Sequence, residues 1–297
     1  MLANIADPDA SQPIVTQDGA ATRAGRFRLE PDGRAEAAQR RRLQRDLEEA
    51  TRENAFVLHY QPRLSLATGE TAGAEALIRW PHGKRGLVPP AAFIPLAERT
   101  GLITAIGGWV IRTACAAAVH WPPDWTVSVN VSARQLDDNA LLQQVATALA
   151  ESGLPPDRLE LELTESMLVD VSLDTLLTLS AIRDLGVGIA LDDFGTGFAS
   201  LAMLKRLPLT VMKLDRSLVR DLPGDREDAA IVRAVVQTGH ALGLFVVAEG
   251  IETEQQRAFL SGIGCDEGQG YLFSHPVPEQ LLCKPRGPMS DHAAIRD

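Results

Sequence analysis

The chain has 297 residues, which is enough for two ordinary domains or for one α/β barrel of about 250 residues. Hydrophobic residues make up 45% and charged residues 23%, as in globular proteins, and this composition excludes a disordered or fibrous chain. The formal net charge of −10 opposes unaided binding to nucleic acid or to an anionic membrane, so we expect neither as a partner.

Cysteine usage and the absence of targeting patterns predict a cytoplasmic location. The three cysteines, Cys115, Cys265 and Cys283, are far apart and form no CxxC pair, which argues against a disulfide framework or a thiolate zinc site. No stretch reaches about 18 uncharged apolar residues, and the N-terminus lacks the charged-then-apolar pattern of a signal peptide.

Composition divides the chain into four segments. Residues 1–34 show no hydrophobic period and predict a flexible N-terminal tail. Residues 35–54 are strong helix formers with Arg and Glu spaced three or four apart, which predicts a solvent-exposed linker helix. Residues 55–280 contain the main domain, and residues 281–297 form a C-terminal tail.

The main domain alternates eight short apolar runs with longer helical patterns, which is typical of an α/β fold with a parallel sheet. The first two runs, FVLHYQP and ETAGAEALIRW, are separated by too few residues for a helical crossover, so they should pair antiparallel. The last run, GQGYLF, is the weakest. We therefore expect a modified TIM (β/α)8 barrel with an antiparallel first strand.

Several of the apolar runs carry polar residues at every second position. Glu160 and Glu162 share one face of a strand, and Lys213 and Asp215 share one face of another. Positions that face the surrounding helices must be apolar, so the polar faces point into the barrel. Those near the C-terminal ends of the strands should meet at the mouth, where barrel enzymes place their chemistry. The predicted mouth cluster comprises Glu75, Asn130, Glu162, Asp192, Asp193, Glu249 and Lys213.

This cluster predicts a metal site. Carboxylates crowded into a partly desolvated site repel one another, so a bound cation is required. Oxygen ligands without nearby Cys or His suit Mg²⁺ or Mn²⁺ rather than zinc or copper. The adjacent Asp192 and Asp193 are suited to binding two ions about 3.5 to 4 Å apart, as in two-metal phosphoester hydrolysis.

The string Glu75-Ala76-Leu77, followed by Arg79-Trp80, resembles the name-giving motif of the EAL-domain cyclic di-GMP phosphodiesterases. The resemblance covers about residues 50–278 and continues through GLVPPAAFIPLAERTGLI, SVNVSARQL, LELELTES, LDDFGTG, LKRLPL, MKLD, VVAEGIET and CDEGQGYLF. It implies a barrel with an antiparallel first strand. It also implies metal-dependent hydrolysis of cyclic di-GMP to linear 5'-pGpG, and a homodimer whose interface borders the loop after Asp193.

The resemblance further implies roles for individual residues. The ligands of one metal would be Glu75, Asn130, Glu162 and Asp192. The second metal would be bound by Asp192, Asp193 and Glu249. Lys213 matches the lysine that positions or activates the attacking water, and Glu249 also matches the proposed general base, so its role as base, ligand or both stays open.

Three further residues match positions around the family's metal site. Glu165 matches the acid that anchors the loop Asp193–Gly197. Arg79 and Gln269 match residues that contact the substrate, Arg79 through a phosphate.

Two other functions remain open at this point. One is a receptor that binds cyclic di-GMP without turnover and signals through its linker helix or dimer interface. The other is an unrelated metal-dependent barrel enzyme, such as an enolase-like lyase. All the expected metal ligands and Lys213 are present, which favours the phosphodiesterase over the receptor, and the unbroken order of the motifs argues against the lyase.

Overall fold

The computed structural model describes residues 33–137, 140–168, 171–197 and 201–282. The predicted N-terminal tail lies outside these residues except for residues 33 and 34, and so does the C-terminal tail beyond Leu282. The division into tails, linker helix and main domain therefore stays a prediction. The barrel lies in a compact unit that starts at Arg42.

Within the described residues, ten strands form one sheet that closes on itself. They are β1 (Val57–Ser65), β2 (Thr71–His82), β3 (Gly86–Val88), β4 (Thr126–Asn130), β5 (Leu159–Thr164), β6 (Gly188–Phe194), β7 (Val211–Leu214), β8 (Phe245–Ala248), β9 (Glu267–Gly268) and β10 (Val277–Pro278). Their order is β10-β1-β9-β8-β7-β6-β5-β4-β2-β3, and a further pairing between β1 and β2 closes an eight-stranded barrel. The predicted α/β barrel is confirmed.

The first strand runs opposite to its neighbours. β1 pairs antiparallel with β2, Gln61 opposite Glu75, and antiparallel with β9, Ser65 opposite Glu267. The pairs from β2 to β4 and onward to β9 are parallel. The short connection between β1 and β2 leaves no room for a crossover helix, and the predicted antiparallel start of the barrel is confirmed.

Helices occupy the connections. They are α1 (Gly33–Glu53), α2 (Pro90–Thr100), α3 (Leu102–Ala118), α4 (Ala133–Asp137), α5 (Ala140–Ser152), α6 (Leu173–Asp184), α7 (Leu201–Leu204), α8 (Arg216–Val219), α9 (Arg226–Ala241), α10 (Glu254–Gly262) and α11 (Glu279–Leu282), with 3₁₀ turns at Pro156–Arg158 and Glu165–Leu168. Asp225 caps α9 and Thr253 forms a capping box on α10. No described helix combines the length and the apolar character needed to cross a bilayer.

The predicted linker helix corresponds to α1, but it is not exposed all round. Leu47 is fully buried and Ala50 is 5% exposed, and both belong to the hydrophobic core that includes Phe56 and Trp80. The prediction of a solvent-exposed helix was wrong for this face. Leu43 also packs against this core, so three apolar residues spaced four and three apart form a narrow stripe in an otherwise largely charged segment.

The weakest predicted run, GQGYLF, contributes only Gly268 to a strand, so the prediction of a strand there was largely wrong. Only Glu267–Gly268 is extended, and the chain turns immediately after Gln269 and Gly270. A Cβ atom at Gly270 would lie 2.1 Å from the carbonyl oxygen of Ile251, so the backbone passes too close to its neighbour for any side chain. This close approach holds the residues after β9 against the barrel mouth.

Candidate active site

A buried lysine lies at the centre of the predicted cluster. Lys213 projects from β7 and is 0% exposed. Its Nζ lies 2.6 Å from Glu249 Oε1, 2.8 Å from Glu162 Oε1, 3.3 Å from Asp192 Oδ1 and 3.9 Å from Glu75 Oε2. Burial alone would lower the pKa of Lys213, but these carboxylates raise it well above its ordinary value. The lysine is therefore a fixed cation.

Glu75 is oriented from both sides by amide groups. Asn130 Nδ2 at the end of β4 donates to Glu75 Oε1 at 2.6 Å, and Gln269 Nε2 donates to Glu75 Oε2 at 2.7 Å. Burial would raise the pKa of the Glu75 carboxyl, but Lys213 and the two amides together lower it. Glu75 is thus held ionised with both oxygens directed by neutral donors, an arrangement that suits a metal ligand.

Among the acids around Lys213, Glu162 is the one whose negative charge is least compensated by nearby donors. It is 1% exposed on β5, and its Oε2 atom has no hydrogen-bond partner among the described residues. Burial, followed by the charge of Glu75, raises its pKa well above the ordinary value despite the attraction of Lys213. An orphaned, buried carboxylate oxygen facing other acids fits a divalent cation, since all the donors are hard oxygens.

A second group of acids lies at the ends of β6 and β8. Asp192, Asp193 and Glu249 each offer a carboxylate oxygen, and these atoms lie within 4.8 Å of one another. Asp193 adopts a left-handed conformation with φ of 58°, which a non-glycine residue rarely adopts, and its amide donates to Asp192 Oδ1 at 3.0 Å. Burial raises the pKa of Glu249 to about 7 and, together with Asp192, raises that of Asp193. This group fits a second cation beside the first.

Glu165 holds the loop that follows Asp193. Its Oε2 atom accepts hydrogen bonds from the amides of Gly195 at 3.1 Å and Thr196 at 3.2 Å, and from the Thr196 hydroxyl at 3.2 Å. Glu165 is 2% exposed, so this carboxylate is a buried anchor rather than a surface contact. It directs the backbone that carries Asp193.

Among the described residues, Arg79 forms no ion pair with the acids of the cluster. It is partly exposed near the end of β2, and its Nη1 atom donates to the neighbouring Ile78 carbonyl at 3.0 Å. Burial lowers its pKa, while Glu75 and Tyr271 act in the opposite direction. The guanidinium therefore has donors left to bind an anion that reaches the mouth.

The sequence reasoning missed Gln61. This residue of β1 is 8% exposed, its Oε1 atom accepts from Gln269 Nε2 at 2.9 Å, and its Nε2 atom donates to the Ser274 carbonyl at 3.1 Å. Gln61 therefore holds the amide that orients Glu75. The signal was present, because Gln61 and Arg63 alternate with apolar residues at the end of the first run and just beyond it.

The polar faces of the strands also extend below the mouth. Glu160 shares a strand face with Glu162. Among the described residues, however, Glu160 forms no ion pair with Lys213. It binds instead to Arg63, which is 2% exposed, with Nη1 lying 2.5 Å from Glu160 Oε1. Arg63 Nη2 donates to the Thr126 hydroxyl at 2.6 Å, and Arg63 Nε lies 3.4 Å from Glu267 Oε2.

Comparison with known proteins places this geometry in a family. The family model described as the EAL domain matches residues 44–276. The bifunctional diguanylate cyclase/cyclic di-GMP phosphodiesterase MucR of Pseudomonas aeruginosa is 45% identical over 253 residues, which are 84% of this chain and 37% of MucR. The cyclic di-GMP phosphodiesterase NbdA of the same organism is 44% identical over 250 residues, which are 83% of this chain and 32% of NbdA.

Solved structures agree with these sequence matches. The structure of the PaMucR phosphodiesterase in complex with c-di-GMP has a TM-score of 0.77 at 45% identity, and the match covers 81% of this chain and all of that one. The EAL enzyme Bd1971, bound to cAMP and cyclic di-GMP, has a TM-score of 0.77 at 31% identity over 84% of this chain and 69% of that one. The chain spans about a third of the length of the curated relatives it matches.

Proposed function

Because the chain belongs to the EAL domain family, we propose that it is a phosphodiesterase that hydrolyses cyclic di-GMP to linear 5'-pGpG. The activity named for MucR and NbdA supports the choice of substrate. The observation that carries the proposal is the convergence on Lys213 of acids from separate strands, among them Glu162 with its unpartnered Oε2 atom. A purely structural salt bridge does not require this excess of carboxylates.

We further propose that the site binds two Mg²⁺ or Mn²⁺ ions. The ligands of the first would be Glu75, Asn130, Glu162 and Asp192, and those of the second Asp192, Asp193 and Glu249. When bound, these ions would neutralise the phosphate, polarise the phosphoryl group and lower the pKa of water. Their charge also explains how a protein with a net charge of −10 would attract an anionic substrate.

The remaining roles follow from the chain's own side chains. Lys213, fixed by four carboxylates, would donate a hydrogen bond that holds the attacking water in line with the phosphorus. Glu249 is placed to bind the second ion or to accept the proton of the water. Gln269 Oε1 has no hydrogen-bond partner among the described residues, so it is available to the substrate, and Arg79 would bind a phosphate.

The direct test is a product assay. Purified protein is incubated with cyclic di-GMP and Mg²⁺ or Mn²⁺, and pGpG is followed by chromatography. The wild type should form pGpG, while Glu75→Ala should form none and should bind the metal more weakly, because a directly oriented ligand is lost. Binding of cyclic di-GMP without any pGpG would favour the receptor function instead.

Exchange of the metal separates binding from chemistry. Ca²⁺ prefers six to eight oxygens at 2.3 to 2.6 Å, whereas Mg²⁺ demands octahedral geometry at about 2.0 to 2.1 Å. Ca²⁺ should neutralise the acids and support substrate binding, but it should not align or acidify the water. We expect cyclic di-GMP binding without hydrolysis in Ca²⁺, restored by excess Mg²⁺ or Mn²⁺. Equal turnover in Ca²⁺ would contradict the proposed geometry.

We also propose a homodimer. On α6, Leu173 is 70% exposed and Leu177, one turn later, is 59% exposed, which is a poor arrangement for a face that stays in water. Substitution of both by glutamate should convert a dimer into a monomer in light scattering after gel filtration, with the circular dichroism spectrum of the folded chain unchanged. A wild-type monomer at micromolar concentration would contradict the proposal.

A further inference from the structure

Beneath the acids of the mouth lies a second layer of charge inside the barrel. We define the lower layer as Arg63, Thr126, Glu160 and Glu267, whose contacts are all within 3.4 Å. The side chains of Arg63, Glu160 and Glu267 are 3%, 9% and 11% exposed. A buried ionic cluster is costly to desolvate, so its presence calls for a physical reason.

The lower layer and the mouth share three strands. On β5, Glu160 lies two residues before Glu162; on the antiparallel β1, Arg63 lies two residues after Gln61. Glu267 of β9 lies two residues before Gln269, which directly follows that strand. Side chains two residues apart lie on the same face, about 7 Å apart along the strand. Each charged group of the lower layer therefore supports a mouth residue directly above it.

The space for this cluster is provided by a glycine. Gly73 of β2 lies opposite Arg63 in the β1–β2 register. A Cβ atom at Gly73 would lie 2.4 Å from the Thr126 carbonyl oxygen and 2.6 Å from Thr126 Oγ1, the acceptor for Arg63 Nη2. The barrel interior is thus left open at this point for the Arg63–Thr126 contact.

Resting on the proposed phosphodiesterase function, we propose that Arg63 is a positioning residue for the metal site. Its guanidinium joins β1, β4, β5 and β9 through one rigid fork, with Glu160 and Glu267 as the charged partners. It thereby fixes the strand positions from which Glu162 and Gln269 project. Glu162 is a predicted ligand, and Gln269 orients Glu75, so the geometry of the first metal depends on Arg63.

A lysine cannot reproduce the planar fork of the Arg63 guanidinium, because an ammonium is a compact point charge. Arg63→Lys keeps the charge but loses the simultaneous contacts to three partners. We expect the Kd for Mn²⁺, measured by calorimetry without substrate, to rise about tenfold, the scale of losses seen for groups that orient metal ligands. In the hydrolysis assay, kcat should fall and KM should change little, because Arg63 does not contact the mouth.

Arg158 offers a matched control. It is 9% exposed, and it donates to the carbonyls of Ala118, Trp125 and Pro122 between 2.8 and 3.0 Å, away from the acids. Arg158→Lys should lower the melting temperature as a buried arginine loss does, with the Kd for Mn²⁺ unchanged. A purely structural Arg63 would behave in the same way.

A second variant decides the question if Arg63→Lys fails to fold. Glu267→Gln keeps the shape and removes only the charge on the β9 side, and it should raise the Kd for Mn²⁺ between twofold and tenfold. Values within twofold of the wild type for every folded variant would overturn the proposal. Because metal binding is measured without cyclic di-GMP, this result stands apart from the phosphodiesterase test: a wild type that makes no pGpG would contradict the proposed function alone.

Discussion

Two of the buried cations in the described part of the chain, Arg63 and Lys213, are compensated differently. In the lower layer, Arg63 donates from Nη1 to Glu160 and from Nη2 to the Thr126 hydroxyl, and its Nε lies 3.4 Å from Glu267 Oε2, so one cation faces two carboxylates. At the mouth, Lys213 has four carboxylates within 3.9 Å, and one oxygen of Glu162 has no hydrogen-bond partner in the described part of the chain.

The difference between the two clusters shows which part of the charged barrel interior is suited to bind a ligand. A cluster with one cation against two acids, each of them paired with that cation, can close a barrel without any ligand. A cluster with one cation against four acids stores repulsion that is relieved by protonation of an acid or by binding of a further cation. Both clusters contain inward-facing glutamates of β5, so residue type alone does not distinguish them.

Replacement of Lys213, the cation at the mouth, should produce the largest effect on activity. Lys213→Arg places a broad planar group where a compact ammonium fits among four carboxylates, and the site has no exposed space to absorb it. We expect kcat to fall about 100-fold or more, the scale of mispositioned chemistry, with KM nearly unchanged. Steady-state kinetics at saturating Mn²⁺ measure both kcat and KM. A variant with retained kcat would reduce Lys213 to a charge-balancing role, and the two layers would then be alike.

Release of the loop after Asp193 tests the comparison between the mouth and the lower layer further, because the mouth depends on a loop anchor whereas the lower layer is built from strand residues. Glu165→Ala removes the acceptor for the amides of Gly195 and Thr196, so Asp193 loses its fixed position although Glu165 is not among the predicted ligands. We expect activity to fall about tenfold, in line with the loss of a group that orients a ligand. Hydrogen exchange at Gly195 and Thr196 should speed up. Unchanged exchange in the variant would show that the loop is held by other contacts.

The pH dependence of stability gives the smallest effect. The folded-state pKa of Glu249, about 7, lies above its ordinary 4.5, so the folded protein holds this proton more tightly than the unfolded chain. Glu249 ionisation should therefore reduce stability progressively from about pH 4.5 to about pH 7 in metal-free protein. Glu249→Gln should remove that loss and raise the metal-free melting temperature at pH 7.5 by a few degrees.

The same measurement contains its own control. At pH 4.5 the carboxyl is largely protonated in the folded protein, so wild type and Glu249→Gln should melt alike. A variant that is less stable than the wild type at pH 7.5 without metal would mean that the contact between Glu249 and Lys213 outweighs the burial of the charge.

The sequence by itself determined the architecture and the face of each strand. Helix-facing positions must be apolar, so the two-residue period placed Glu162 and Lys213 inside the barrel, and the short link between the first two runs required an antiparallel pair. The family motif added the roles expected of Arg79 and Gln269, which remain predictions.

Only the tertiary structure decided the depth of each side chain. The two-residue period gives Glu160 and Glu162 the same face, but the register between neighbouring strands puts one beside Arg63 and the other beside Lys213. Gln61 acquires its role only because β9 closes against β1, and Leu47 is buried only because the barrel lies beside α1. A local pattern specifies which face of a strand a side chain occupies. How deep that side chain lies in the barrel depends on the alignment of strands that are distant in the sequence, and no single segment contains that information.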